Sequence, residues 1–230
     1  LVMLCTAILG KVIYRHREER KAKVFRYGLV NSNALFIGLP IIQSLLGDAG
    51  VLQLSMYMIF VRMFCWSYGL SLYTGVKSDW KGSFKRLLTH PCMIAAALGV
   101  AAMVTGIRLP AFLDRTLQYV SSCLMALSML LIGVVLSEIK LKEVFRGDVW
   151  RFTALRLGVL PGIVFGLCKL CGVPYIVTAT CTLVSGMPAA SLTAVLAARY
   201  HGDSELGALL VAVSTILSAV TIPLWFMILR

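Results

Sequence analysis

A helix needs about 20 consecutive apolar residues to cross the hydrocarbon core of a bilayer, and runs near that length recur along almost all of this 230-residue chain. They cover residues 28–46, 51–75, 91–107, 119–136, 151–172, 174–199 and 206–229, with a shorter, partial run at 1–13. Within lipid each backbone N–H and C=O must find its partner inside the segment, which a helix provides. Only 14% of the residues are charged and 59% are hydrophobic, against about 25% charged in globular proteins, and the mean hydropathy is +0.87. The expected fold class is an all-α membrane protein, multi-pass, in the cell membrane. A soluble enzyme, a disulfide-stapled secreted domain and a disordered regulator are excluded.

The net charge of +12 takes its meaning from where it falls. Residues 11–26 hold seven basic side chains, 77–86 four and 140–151 four, whereas 47–50 and 172–173 hold none and 108–115 two. Basic connections alternate with bland ones, so the positive-inside rule places the basic ones in the cytoplasm and Arg230 outside. The charge then serves orientation and attraction to anionic membrane lipid, not nucleic acid. The chain begins at Leu1 with a run too short to span, and is read as a fragment lacking about its first two helices, with no secretory signal in view. The cysteines mostly sit in apolar runs. Cys168 and Cys171 have the spacing of a metal pair without a second pair beside it, so no metal and no cofactor is expected.

Two runs are interrupted alike. In 28–46 Asn33 precedes Gly38-Leu39-Pro40; in 174–199 Ser185 precedes Gly186-Met187-Pro188. Proline lacks the N–H and clashes with the turn before it, so each run is expected to be two half-helices, although one such proline alone gives only a kink. Both are followed by Gly-Asp turns, Gly47-Asp48 and Gly202-Asp203, and then by a long span. They lie five crossings apart, an odd number, which predicts an inverted repeat of five helices with two crossing broken helices. In transporters built that way, discontinuous helices meet near the midplane and form the substrate site.

The run from Asn33 to Pro40 followed by Leu46-Gly47-Asp48-Ala49-Gly50 resembles the fourth helix of the auxin efflux carrier family, which includes bacterial permeases. The stretches Gly186-Met187-Pro188, Tyr200-His201-Gly202-Asp203, Val213-Ser214-Thr215 and Thr221-Ile222-Pro223 resemble its ninth and tenth helices. The resemblance implies ten helices in two inverted halves and a crossover holding a carboxylate-bearing substrate. It implies a mobile transport unit from 1–75 and 151–229, a connecting cytoplasmic loop at 76–90, and scaffold helices at 91–137 that form a homodimer. Carried over by position, the substrate-binding residues are Asn33, Pro40 and Pro188, with Gly38 and Gly186 as flexible partners. Where the family often has an asparagine after the second broken helix, this chain has Tyr200-His201-Gly202.

Other residues are weighed on their chemistry. Pro40 and Pro188 are expected near the first turns of the second half-helices, where free N–H groups attract an anion. Asn33, like Asn31, either donates to substrate or bonds between helices. Ser185 stands upstream of the second break, and with Ser191 and Thr193 it could hold a cation. Arg62 lies mid-span, and intramembrane charges usually face the bundle interior; it faces an anion path, pairs with a missing helix, or bonds to carbonyls. Arg156, nearer a boundary, is expected to snorkel. No carboxylate lies mid-span, no histidine constellation meets in one, and no phosphate loop is present, so the chain is not expected to be an enzyme. The expected function is a secondary transporter of small organic anions working by alternating access. A sodium-coupled organic-anion symporter of related fold and, less so, a multi-span membrane receptor are the alternatives.

Overall fold

The computed structural model describes residues 2–74, 91–106, 109–137 and 146–229. The basic connection expected at 77–86, the loop at 76–90 and half of the connection at 140–151 lie outside these residues. Among those described, the regular elements are helices, and three helical stretches, Ala34–Arg62, Gly147–Leu170 and Ser204–Leu229, are long and apolar enough to cross a membrane. The chain is an all-α membrane protein.

Helix α1 (Val2–Ile13) leads by a tight turn into α2 (Glu19–Val30). The expected loop at 11–26 is therefore mostly helix. Its charges cluster where α2 leaves the membrane surface, tied by Lys23–Glu19 and Lys21–Glu18 contacts of 2.8 and 3.2 Å, while Ala22, Val24 and Phe25 between them are buried. Such a mixed pattern hides a half-helix from a search for apolar runs. In the turn, Tyr14 stacks on Phe25 with ring centroids 4.5 Å apart. Burial pushes its phenol up to about 12, so it stays neutral.

After α2 the chain is extended at Asn31 and Ser32, turns at Asn33, re-enters helix through a π turn (Ala34–Gly38) and continues as α3 (Leu39–Phe64). Within α3, Gly47 has φ 63° and ψ −158°, a left-handed conformation that a Cβ would strain. It is the apex of a helical hairpin, since Leu35 and Phe36 face Met58, Val61 and Arg62 across a shared cavity. The Gly47-Asp48 turn thus stands where the sequence places it. A second π turn (Cys65–Gly69) leads to α4 (Leu70–Thr74). Next come α5 (Pro91–Thr105) and α6 (Ala111–Ser137), the latter starting eight residues before its apolar run and running beside the Ala34–Gly38 turn.

The last third runs in the order long helix, broken helix, long helix. Helix α7 (Gly147–Ala154), a π turn (Leu155–Val159) and α8 (Leu160–Leu170) form the long member; α9 (Tyr175–Ser185) and α10 (Leu192–Arg199) flank the break; α11 (Ser204–Leu229) completes it. Twelve residues in α2 and eleven in α9 give lengths of about 18 and 16 Å, roughly half the ~30 Å hydrocarbon core. Each is therefore too short to cross it alone.

The connections sort onto two faces. Arg17 in the α1–α2 turn donates to both Asp148 oxygens at 2.7 and 3.2 Å, and Arg20 donates to the His201 carbonyl at 3.1 Å. Tyr73 lies 6.1 Å from Tyr200, ring centre to ring centre. The first basic connection, the end of α4, the start of α7 and the α10–α11 turn share one face, as the alternation of charge predicts. The core divides to match. One cluster runs from Tyr14 and Phe25 through Phe152 to Leu210; another, toward the opposite face, joins Ile42, Leu54, Leu183 and Ile222.

Candidate functional site

The two breaks meet. Asn33 N–H donates to the Pro188 carbonyl at 2.8 Å, and Ala190 N–H donates to the Asn31 carbonyl at 3.1 Å. These bonds join Ser32 and Ala189 in an antiparallel bridge. Extended backbone at membrane depth needs such partners, and here each unwound link supplies them to the other. Ala189 N–H, fully buried, donates to Ser214 Oγ on α11 at 3.1 Å. In turn Ser214 donates back to the Leu210 carbonyl at 2.6 Å. The crossing broken helices are present.

The first break is not where its proline alone suggests. It lies at 31–33, six or more residues before Pro40, which sits behind the π turn in the first turn of α3. A π turn widens the helix ahead of the ring, which relieves the clash proline makes with the preceding turn. The second break contains Pro188, in the extended link and not in α10. The free N–H groups that every helix start leaves are therefore at Ala34–Phe36 and at Ser191–Leu192. Pro40 and Pro188 do not hold them.

Beside those two helix starts is a cavity of ≈ 130 Å³. Its polar wall is Asn31, Ser32, Asn33, Ser191, Arg62 and Arg199; its apolar wall includes Leu35, Phe36, Met58, Val61, Leu192 and Leu196; Tyr27 and Tyr200 stand toward the basic face. Arg62 and the Asn33 amide have no hydrogen-bond or ion-pair partner among the described residues. Asn31 is committed, donating through Nδ2 to the Tyr27 hydroxyl at 3.0 Å. Tyr27 is pressed against Gly69, where a Cβ would stand 2.6 Å from its ring. Among the described residues, two arginines and no carboxylate line the space.

Of the residues expected from sequence, Asn33 and Arg62 come together at this cavity. Gly38, Pro40, Ser185, Gly186 and Pro188 do not line it. Gly38 packs on Met187 of the opposite link, a Cβ there meeting its Cγ at an ordinary 3.6 Å, and Gly186 packs on Pro161. Ser185 Oγ donates to the Thr182 carbonyl at 2.8 Å. Pro188 contributes its carbonyl. Ser191 lines the cavity, whereas the Thr193 hydroxyl is buried without a hydrogen-bond partner. No three His, Cys, Asp or Glu side chains converge as a metal site among the described residues.

Arg156 is the clearest departure. It does not snorkel: only 2% of it is exposed, and its Nε donates to the Met187 carbonyl at 3.0 Å while Nη1 donates to the Leu29 carbonyl. Position near a span end suggested the surface. The π turn at Leu155–Val159 instead sets this residue against the crossover, a displacement that helical periodicity in the sequence does not reveal. Arg199 and Ser214 were also missed; both stand in unremarkable helical surroundings, and only the folded chain shows what they touch.

The model of the membrane transport protein family matches residues 1–226. The chain is similar to an uncharacterized transporter of Methanocaldococcus jannaschii, 28% identical over 229 residues that cover 95% of this chain and 71% of that one. It is also similar to an uncharacterized transporter of Methanothermobacter thermautotrophicus, 29% identical over 198 residues, 86% of this chain and 65% of that one.

Proposed function

Because the chain belongs to the membrane transport protein family, the auxin efflux carrier family its broken-helix motifs resemble, and is an integral membrane protein, we propose that the complete protein is a secondary transporter of a small organic anion. The observation that carries this reading is the wall of the crossover cavity, with Arg62 and Arg199 present and no carboxylate among the described residues. An unpaired guanidinium, an unpaired Asn33 amide and the positive ends of two half-helices give a carboxylate several donors where water is scarce. An organic cation would meet only like charge.

Transport proceeds by alternating access. Residues 1–75 and 151–229, two halves related as an inverted repeat, rock as one unit against a scaffold that includes 91–137. The antiparallel bridge between the two links supports the inversion. The scaffold is also the surface for a homodimer. The cavity reaches from the crossover toward Arg199 and Tyr200 on the basic, cytoplasmic face, so the conformation described opens inward.

The test is uptake by proteoliposomes of the full-length protein against a panel of mono- and dicarboxylates, organic cations and neutral analogues of equal size. Saturable carboxylate flux that competing carboxylates inhibit supports the reading. Preference for a cation, or carboxylate flux that is unaltered in Arg62→Gln, overturns it.

A further inference from the structure

Where the first half-helices end, their carbonyls have no partners along the helix, and the aligned peptide dipoles concentrate negative potential there. In the two-helix crossover this negative pole is shared. The Leu29 carbonyl closes α2 and the Met187 carbonyl closes the turn after α9; the two come close enough to be bridged by one side chain. In carriers built on broken helices, unwound carbonyls and half-helix C-terminal ends of this kind are where a soluble coupling cation is taken up. Here the bridging group is the guanidinium of Arg156, with hydrogen bonds to both.

We propose that Arg156 is the resident cation of the crossover. Its side chain fills the carbonyl pole from within the chain, so that this pole takes up no soluble cation during the cycle, and it holds the two broken helices at the crossing that leaves their opposite, positive ends open to substrate. Three features converge on this. The guanidinium is buried, its planar fork spans two separate backbone segments, and no carboxylate neutralises it among the described residues; its titratable neighbours are the Tyr57 phenol and the Cys65 thiol. An unpaired buried charge is otherwise strongly unfavourable, so the carbonyl dipoles must be what holds it. Arg156 is a positioning residue, since it does not line the cavity.

The inference rests on the crossover being the moving centre of a carrier, but its first test needs no transport. Melting of the detergent-solubilised full-length protein is followed for the parent and for Arg156→Ala with added guanidinium chloride, sodium chloride, choline chloride or urea at matched millimolar concentration. Urea is the neutral isostere of guanidinium. The expected result is a lower melting temperature for Arg156→Ala that guanidinium raises in a saturable way, sodium less so, and choline and urea not at all, with the parent unmoved. Equal rescue by urea, or none by guanidinium, overturns the proposal. Should Arg156→Ala yield no folded protein, Arg156→Lys and Arg156→Gln decide, both long donors but one charged: Lys above Gln in melting temperature supports the resident cation, and equality overturns it. Flux is the second arm. Sodium-independent flux in the parent and guanidinium-restored flux in Arg156→Ala support the proposal; sodium-dependent flux in the parent overturns it. Absence of any carboxylate flux, with guanidinium-dependent melting retained, would remove the transport reading and leave the cation site standing.

Discussion

Replacing Ser214 by Ala removes a single oxygen, and the structure fixes what that oxygen does. It accepts from the buried Ala189 N–H and donates to a carbonyl of its own helix. Losing the acceptor strands a buried donor in the link, at a cost of about 1–3 kcal/mol. A gain opposes this, because alanine is the better helix former by up to roughly 0.5 kcal/mol. The first effect wins, but the comparison should be made where the second cancels. Ser218, one turn further along α11, is equally buried and its hydroxyl only donates back to the Thr215 carbonyl, at 2.7 Å. Ser218→Ala loses the same kind of back-bond, gains the same propensity and strands no N–H. For a chain of this size about 2–4 °C of melting temperature corresponds to 1 kcal/mol, so Ser214→Ala should melt ~2–12 °C below Ser218→Ala in the same detergent. If the two variants melt together, Ala189 N–H has another partner and the link is not pinned by α11.

Arg62→Gln removes a charge-assisted bond worth about 1.5–3 kcal/mol, which is roughly a 10- to 150-fold rise in half-saturating carboxylate concentration with folding retained; Arg62→Lys should recover part of it, and saturation curves for the three proteins check this. Asn33→Ala should raise the same concentration several-fold, whereas Asn33→Asp sets a like charge beside the anion and should be worse; equal binding by Asn33→Asp would move the anion away from this amide. Gly69→Ala forces a Cβ to 2.6 Å from the Tyr27 ring and should cost about 1–3 kcal/mol by overpacking, read as a fall in melting temperature that Tyr27→Ala relieves. Single cysteines at Arg17 and His201 should react with an impermeant thiol reagent from one side of the membrane and a cysteine at Gly47 from the other; labelling of all three from one side would undo the two-face arrangement.

Much of the fold was legible because the bilayer is a severe selector. Apolar length identifies spans, and charge in alternate connections sorts their ends, which the Arg17–Asp148 and Arg20–His201 contacts reflect. The existence of two breaks was legible too, since Gly-x-Pro inside an apolar run is hard to place otherwise. The second stands at its Gly-x-Pro, but the location of the first was not legible. Proline marks a position where a helix cannot be ideal, but the chain unwinds where its freed N–H and C=O groups find partners, and those lie on a segment more than 150 residues away. Pro40 is absorbed by a π turn while the break forms at 31–33. Asn33 was found because an amide in a span is conspicuous, and Arg62 because a charge there is. Arg156 was misjudged by the same rule of depth, as the π turn at Leu155–Val159 shifts side chains off the register that depth and periodicity assume.

The two ends of the crossover explain why two arginines in spans have opposite fates. Crossing helices that break at the same level put their C-terminal carbonyls together and their N-terminal amides together, so one structural event creates two poles of opposite sign. A guanidinium at the carbonyl pole has its charge matched by backbone dipoles, and Arg156 is accordingly buried and bonded. A guanidinium at the amide pole meets potential of its own sign, and Arg62, beside a cavity, has no hydrogen-bond or ion-pair partner among the described residues. Cys65 lies near both arginines, so the two poles are close. On the proposed function, an anion that entered the cavity would relieve repulsion at one pole without disturbing the match at the other. Exchanging the sign of Arg62 alone, as in Arg62→Glu, should therefore abolish carboxylate transport without creating cation transport, since the helix amides would still oppose a cation. Cation flux through Arg62→Glu would mean that the side chain, and not the paired helix ends, sets the selectivity.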